Sequence, residues 1–417
     1  MSDQSITFRD ACRFCGSKDV RRFLHFDKIP FFDEVIPAER LGQEFLAPMD
    51  VFWCGECKSV QSQHDVNVSS YYTDYQYVAS DSSFIRDFMQ RLAKESFNRF
   101  EMQPGDRVLE VGSADGYQLA CFQDLGAVAL GFEAAENLCE LSRMRGVSVT
   151  TDLFTADSLH QIPDEFKPAQ AFILLHTFDH LLDPVPFLEA VRLVLDPERG
   201  VLIIEVHDLQ EIIRRRETSL FGHEHASFLH LGTMKRLLEN HGFILLDANF
   251  VPENMRRGNS MLIAAGLKGC RHEPNVEVPA ADYAWLDEWE TYQQFETVIY
   301  DSFTRLRESV REKVAAGKKI AGYGAWGRGV TTMAMAKLTS NDLVFVCDRN
   351  PFLHGKFTPG SQIPISPPDR LFSEPPDEVI VFNYGYIEEI RQQLAAYTQA
   401  GGKLISVLDL LGGKTGL

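Results

Sequence analysis

Twice in this chain a short apolar strand runs into a glycine turn and a helix start, and a second apolar strand then stops on a carboxylate. The first copy is Arg107-Val-Leu-Glu-Val-Gly112, the turn Ser113-Ala-Asp115-Gly116, a helical segment over 117–125 and a strand over 127–133 that ends at Glu133. The second is Lys319-Ile-Ala-Gly322-Tyr-Gly324-Ala-Trp-Gly327, a helix start, and a strand over 343–348 that ends at Asp348. Further apolar strands are predicted at 170–175 and 201–206 in the first half, and at 378–383 and from Lys403 in the second. Strands alternating with helices build parallel sheets covered on both faces, and such sheets take ligands at the carboxyl ends of their strands. The expected fold class is α/β with two Rossmann-like, doubly wound domains. A chain of 417 residues also exceeds what one core ordinarily holds.

The two turns differ. The first is Gly-x-x-x-Gly, closed by an acid at the end of the next strand. Glycine lets backbone approach a ligand closely, and a carboxylate there can accept both ribose hydroxyls. In this reading Glu133 holds the ribose of S-adenosylmethionine, Gly112 borders the methionine portion and Asp115 orients the ammonium group. Glu110, Gly116, Phe154 and His176 complete the candidate cofactor set. A dinucleotide domain with a variant turn is the competing reading. The second turn fits G-x-G-x-x-G at Gly322, Gly324 and Gly327, with Asp348 near the distance of a ribose contact. Alone it points to NAD, so an NAD-dependent oxidoreductase stays open as an alternative. Behind a methyltransferase-like domain, it is expected to hold the substrate instead.

Ahead of both lie Cys12-Arg-Phe-Cys15 and Cys54-Gly-Glu-Cys57. A C-x-x-C turn points two thiolates at one ion, and two such turns complete a closed tetrahedral site, which makes a zinc ion structural. Redox pairs are the alternative, but a redox C-x-x-C normally opens a helix in a βαβ unit, and neither pair sits in one. Between Tyr71 and Tyr77 comes a run of tyrosines that reads equally as a half-buried packing surface or as a lid whose phenols reach a polar ligand. The expected divisions are a zinc-binding domain with this segment at 1–80, a cofactor domain at 81–266 and a substrate domain at 267–417.

The formal net charge of −18 sets the surface against phosphate backbones, so nucleic acid is not an expected partner. No apolar run approaches the ~20 residues that span a bilayer, and the opening residues lack the basic flank and apolar stretch of a secretion signal. The expected location is the cytoplasm, with no membrane partner and an open oligomeric state, a monomer included. Two histidine-bearing stretches stand out, Leu174-Leu-His176-Thr-Phe-Asp-His180 and Gly222-His223-Glu224-His225. Adjacent residues point in different directions, so acid–base chemistry suits them better than metal ligation. A structural role for any single one of them remains open.

Taken together, these motifs resemble the three-domain sugar C-methyltransferases that act on nucleotide-linked keto-deoxysugars. The likeness spans nearly the whole chain. It rests on both C-x-x-C pairs, the tyrosine-rich stretch, Val-Leu-Glu-Val-Gly-Ser-Ala-Asp-Gly, His-Glu-His before Ala-Ser-Phe, Gly-Tyr-Gly-Ala, Asp348-Arg-Asn-Pro and Phe357-Thr-Pro-Gly-x-x-Ile-Pro-Ile. The resemblance implies methylation at C3 of a sugar whose C4 is a ketone, through an enolate. It implies His225 as the base, with Glu224 and His180 contacting the sugar or orienting that base. The substrate residues expected with it are Tyr75, Tyr77, His223, Asn259, Tyr323, Arg328 and Asn383. Three positions depart from the family pattern. Gly222 stands where members carry a tyrosine, Arg257-Gly258-Asn259-Ser260 replaces His-Gly-Gly-Ser, and Asn383-Tyr-Gly replaces Trp-Asn-Phe. Loss of a phenol beside the base removes a donor for the keto oxygen. A different substrate or methylated atom is therefore also open.

Overall fold

The computed structural model describes residues 6–31, 34–67, 72–73, 75, 78–256, 259–384 and 387–412. The first five strands are β1 (Ile6–Phe8), β2 (Val20–Ile29), β3 (Ala47–Cys54), β4 (Val60–Ser62) and β5 (His64–Val66). β2, β3 and β4 form an antiparallel sheet, and β1 pairs with β5. Cys54 ends β3 and Cys57 lies in the turn to β4, so the second C-x-x-C is the hairpin of this sheet.

The middle of the chain adds β6 (Arg107–Val111), β7 (Val128–Glu133), β8 (Ser148–Thr151), β9 (Ala171–Leu175), β10 (Val201–His207), β11 (Ser227–Phe228), β12 (Phe243–Ala248) and β13 (Ser260–Leu267). Seven of these form one sheet in the order β12-β13-β10-β9-β6-β7-β8. Its central strands pair in parallel, and β13 runs antiparallel to both β10 and β12. The run Ala-Phe-Ile-Leu-Leu of β9 is buried throughout, as expected of a strand covered by helices on both faces. Chain order reverses between β6 and β9, which opens a crevice at their carboxyl ends. β12 and β13 were not anticipated; β12 joins by antiparallel pairing to β13, a link that the βα alternation does not announce.

β11 leaves this sheet altogether. Ser227 pairs with Gln61 and Phe228 with Val60, so the residues just after His225 extend the sheet of the cysteine hairpin. The last third forms a parallel sheet of β14 (Ile320–Tyr323), β15 (Val346–Cys347), β16 (Ile365–Ser366), β17 (Glu378–Val381) and β18 (Lys403–Ser406), in the order β16-β15-β14-β17-β18. The helix Trp289–Ala315 binds the first sheet to the last. Its buried positions Tyr292, Phe295, Ile299, Phe303, Leu306 and Val310 recur at helical spacing. They share one core with Phe23, Phe26 and Trp53 on one side and Met333, Val346 and Phe382 on the other. The fold is α/β, with two Rossmann-like doubly wound domains and a small N-terminal zinc-binding region.

Candidate active site

The four cysteines converge. Their sulfurs all lie within 4.8 Å of one another, and none forms a disulfide. Cys12 Sγ and Cys57 Sγ are 3.6 Å apart, as are Cys15 Sγ and Cys54 Sγ. Zinc–sulfur bonds of ~2.3 Å set tetrahedral sulfurs about 3.8 Å apart, so the four thiolates fit the ion.

At the crevice of the middle sheet, Gly112 adopts φ +71° and stands so close to Thr177 that a Cβ would meet its Oγ1 at 2.5 Å. Gly116, at φ +74°, caps the helix Tyr117–Asp124. Glu133 reaches back across the turn. Ala114 N–H donates to its Oε2 and Ala135 N–H to its Oε1, each at 2.9 Å. A carboxylate has about four acceptor sites, so acceptor capacity remains for two hydroxyls. Burial raises the Glu133 carboxyl pKa. Ser113 Oγ and Asp115 Oδ1 are buried and make no hydrogen bond among the described residues. Orphaned polar atoms beside a glycine turn fit a polar cofactor.

Further residues expected at the cofactor already have protein neighbours. Asp115 Oδ2 is held by Arg145 at 2.7 Å and by the Ser80 hydroxyl, so half of this carboxylate is already engaged. Glu110 is buried within β6. Phe154 follows β8 and packs edge-on to Phe132, Phe172 and Phe187.

Beside this crevice four histidines gather around one aspartate. His176 follows β9, Asp179 and His180 sit in the short turn Phe178–His180, and His207 ends β10. His225 arrives from the loop before β11, which is clamped from two sides: Ala226 N–H donates to Asp179 O at 2.8 Å, and Ser62 N–H donates to Ala226 O at 3.0 Å. The zinc-bearing sheet thereby holds the loop against the end of β9. The rings of His180 and His225 are 4.7 Å apart, those of His207 and His225 5.2 Å, and those of His176 and His207 4.6 Å. His225 donates through Nδ1 to the Leu220 carbonyl at 2.7 Å, which leaves the lone pair on Nε2. That Nε2 lies 4.0 Å from Asp179 Oδ2.

His207 Nδ1 donates to the same oxygen at 3.1 Å. Burial works against ionisation of Asp179, but the His207 hydrogen bond and the surrounding rings outweigh it and hold the group well below the usual carboxylate range. Burial pushes His180 and His207 down to about 3 and lowers His225 as well. At neutral pH His180, His207 and His225 are therefore neutral imidazoles around one carboxylate, the state in which a histidine can accept a proton.

The sequence reading placed His176, His180, Glu224 and His225 in the site; Glu224 is buried beside His225. It missed Asp179 and His207. Asp179 lies inside a stretch already singled out, and His207 sits where a parallel strand ends, so strand ends were the available signal. It also missed Tyr72, whose hydroxyl shares a 2.6 Å hydrogen bond with His180 Nδ1. Tyr75 instead packs on Tyr72 at 5.9 Å and accepts at its backbone oxygen from Asn137. Tyr77 lies outside the described residues. His223 turns toward the N-terminal sheet, donating to Ile29 O at 3.1 Å with its ring against Phe31 and Phe45.

The remaining substrate candidates fall in two further polar groups. Asn259 donates to the Glu217 carboxylate, which is 3.9 Å from Arg328. Arg328 also donates to Tyr384 Oη at 3.2 Å. Tyr323 and Asn383 line a cavity of about 130 Å³ at the carboxyl ends of the last sheet, together with Asp348, Arg349, Glu389 and Ile390. Asp348 accepts from Ala325 N–H and Asn350 N–H, so its two oxygens first secure the glycine turn itself.

Family models match along the chain: "Putative zinc binding domain" over residues 12–72, "Methyltransferase domain" over 79–248 and "C-methyltransferase C-terminal domain" over 261–408. C-methyltransferase NovU of Streptomyces niveus is 30% identical over 401 residues, which cover 95% of this chain and 94% of that protein. The chain belongs to this C-methyltransferase family. Magnesium protoporphyrin IX methyltransferase of Synechocystis PCC 6803 with bound SAM aligns over 46% of this chain and 86% of its own, at 14% identity and a TM-score of 0.32. An S-adenosylmethionine-dependent methyltransferase of Clostridium acetobutylicum aligns over 45% and 93%, at 8% identity and a TM-score of 0.35. This C-methyltransferase is S-adenosylmethionine-dependent, and its second cofactor is zinc. Its second glycine fingerprint does not make it an NAD-dependent oxidoreductase. No described helix is long and apolar enough to cross a membrane.

Proposed function

We propose that this C-methyltransferase methylates C3 of a nucleotide-linked 4-keto-deoxysugar, with His225 as the base. The carrying observation is the fixed imidazole, its Nδ1–H on the Leu220 carbonyl and its Nε2 beside the Asp179 carboxylate. A proton next to a ketone is acidic enough for a positioned base to remove. In this reading Nε2 takes the C3 proton, the electron pair moves onto the ketone oxygen as an enolate, and Asp179 faces the imidazolium that forms. S-adenosylmethionine, when bound, supplies an electrophilic methyl group on its sulfonium. Glu133 would hold its ribose, with Gly112, Gly116 and Asp115 around the methionine portion and His176 at the mouth.

His180, held by Tyr72, would face the sugar with Glu224, and the Tyr72 phenol would supply the hydroxyl that Gly222 does not. Arg328, at the start of the helix Arg328–Met335, would favour the diphosphate. Tyr323, Asn383, Asn259 and His223 would line the path of the nucleotide. With its net charge of −18 the protein suits a small anion held by local donors better than nucleic acid, and the cytoplasm is the location proposed. The test is mass spectrometry of purified protein incubated with isotope-labelled S-adenosylmethionine and a panel of 4-keto nucleotide sugars. A labelled methyl gain on one sugar, placed at C3 by fragmentation, is expected. No gain across the panel, or a gain at oxygen, overturns the reading.

A further inference from the structure

The turn after β9 and the loop before β11 bring Asp179, His180 and His225 so close that one ligand atom of each lies within 4.8 Å of the other two. Asp179 is 5% exposed, yet its Oδ1 makes no hydrogen bond among the described residues. This oxygen is 3.9 Å from His180 Nε2, and Oδ2 is 4.0 Å from His225 Nε2. Both imidazoles are held at Nδ1 from outside the trio, His225 by the Leu220 carbonyl and His180 by the Tyr72 hydroxyl. Both therefore turn Nε2 inward toward one carboxylate. Outer hydrogen bonds of this kind are what orient histidines that ligate metals. The side chain of His180 is 24% exposed, which gives an ion a way in.

The neighbouring trio of His176, Asp179 and His207 is built differently. His207 directs Nδ1 at Asp179 itself, and neither ring nitrogen of His176 makes a hydrogen bond among the described residues.

We propose that Asp179, His180 and His225 form a second metal site, separate from the four cysteines, which takes a first-row divalent ion such as Zn²⁺ or Co²⁺ through two imidazole nitrogens and one carboxylate oxygen. One ligand atom of each residue already lies within 4.8 Å of the others, so metal bonds of roughly 2.0–2.2 Å require the three side chains to close in by roughly 0.5–1 Å. Three protein ligands leave open positions for water, and this nitrogen–oxygen donor set suits borderline ions. The Nε2 of His225 cannot hold an ion and accept a proton at once. On the reading given above, an ion bound here and methyl transfer exclude each other, and the site makes the enzyme sensitive to free transition metal.

The test measures binding, so it stands apart from the identity of the substrate. Full-length protein with zinc on its cysteines is titrated with Co²⁺ and followed by absorption, with total metal counted by mass spectrometry. The expected result is one further Co²⁺ per chain, with ligand-field bands in the visible and no sulfur-to-metal charge-transfer band. D179N and H180N should each weaken this binding roughly 100-fold or more, since even outer-shell changes cost 10–100-fold. Unchanged thermal unfolding of the variants verifies their fold. If D179N does not fold, H180N decides alone, because its ring is partly exposed. No uptake beyond the zinc, cobalt entering only the cysteines, or equal affinity in the folded variants overturns the proposal.

Discussion

Replacing Asp179 by asparagine keeps the shape of the side chain and removes the carboxylate charge beside the proposed base. Asp179 Oδ2 and His225 Nε2 are 4.0 Å apart, and the two residues are 5% and 4% exposed. When His225 takes a proton the two become an ion pair. At an effective dielectric of about 20, unit charges at that distance attract by roughly 4 kcal/mol, or at most about 1000-fold in rate. His207 can still donate to the amide oxygen of an asparagine, so the geometry is kept and the loss falls on the charge. D179N should lower kcat by ~100- to 1000-fold while KM and the affinity for S-adenosylmethionine change by less than about threefold. The pH profile carries the sharper signature. Burial holds His225 below an ordinary histidine, Asp179 pushes it back up, and His176 and Arg328 push it down. His180 and His207 also face this ring. Without Asp179 the His225 pKa falls further, and because the base works in its neutral form, the acid limb of kcat/KM moves to lower pH. Steady-state assays of methyl transfer across pH read both effects. A kcat within about threefold of the parent, or an acid limb that stays put or moves up, refutes the role of this carboxylate.

Three further outcomes follow from the same geometry. Gly112→Ala places a Cβ at φ +71° and 2.5 Å from Thr177 Oγ1, so S-adenosylmethionine affinity by calorimetry should fall by about 10-fold or more, the equivalent of ~1–2 kcal/mol of left-handed strain. An unchanged affinity would remove the glycine corner from the cofactor site. Stripping the zinc, or Cys54→Ser, loosens the hairpin that carries β11; turnover should drop by roughly 100-fold and the melting temperature should fall, both recovering when zinc is restored to the parent. A zinc-free protein with full turnover refutes that link. Stability should fall as pH is lowered from 7. His180, His207 and His230 are pushed by burial to about 3 and His223 to about 4, against 6.5 unfolded. Below pH 6.5 the unfolded chain takes up protons that the folded chain refuses, so stability is lost progressively down to the folded values. Between pH 7 and 5.5 these four groups account for about 4–5 kcal/mol, read by urea unfolding at each pH. A flat profile over that window contradicts their burial as neutral rings.

Much of this architecture was legible because each Rossmann-like half announces itself locally. A buried strand such as Val108–Val111 needs apolar residues, its turn needs glycine at positive φ, and the acid at Glu133 or Asp348 reaches back to backbone N–H groups of that turn. The cysteine spacing was equally plain, since four thiolates with no disulfide leave little but a metal to hold them. What escaped notice depends on pairing over long sequence distances. Nothing in Ser227-Phe228 reveals that it extends a sheet built far earlier in the chain, at Val60 and Gln61, and nothing near Asp179 reveals that His207 and His225 turn toward it. The neighbours of Phe154, which are Phe132, Phe172 and Phe187, likewise come from other elements, and only the packed sheet brings them together.

The same long-range pairing explains why the proposed base sits where three parts of the chain meet. His225 draws its hydrogen bond from Leu220, its partner charge from the turn after β9, and its loop position from Ser62 of the zinc-bearing sheet. Upstream of that loop, Glu217 faces Arg328 of the last domain. A shift of the first or last sheet by even an ångström would reach the imidazole through one of these links, and misplacement of that size costs catalysis heavily. The helix Trp289–Ala315, which joins the first and last sheets in one core, is therefore part of what holds the base in place. Substitutions in its buried face, at Phe303 for example, should lower methyl transfer before they abolish binding of the cofactor, because the glycine corner at Gly112 and the acid at Glu133 stand on a different sheet.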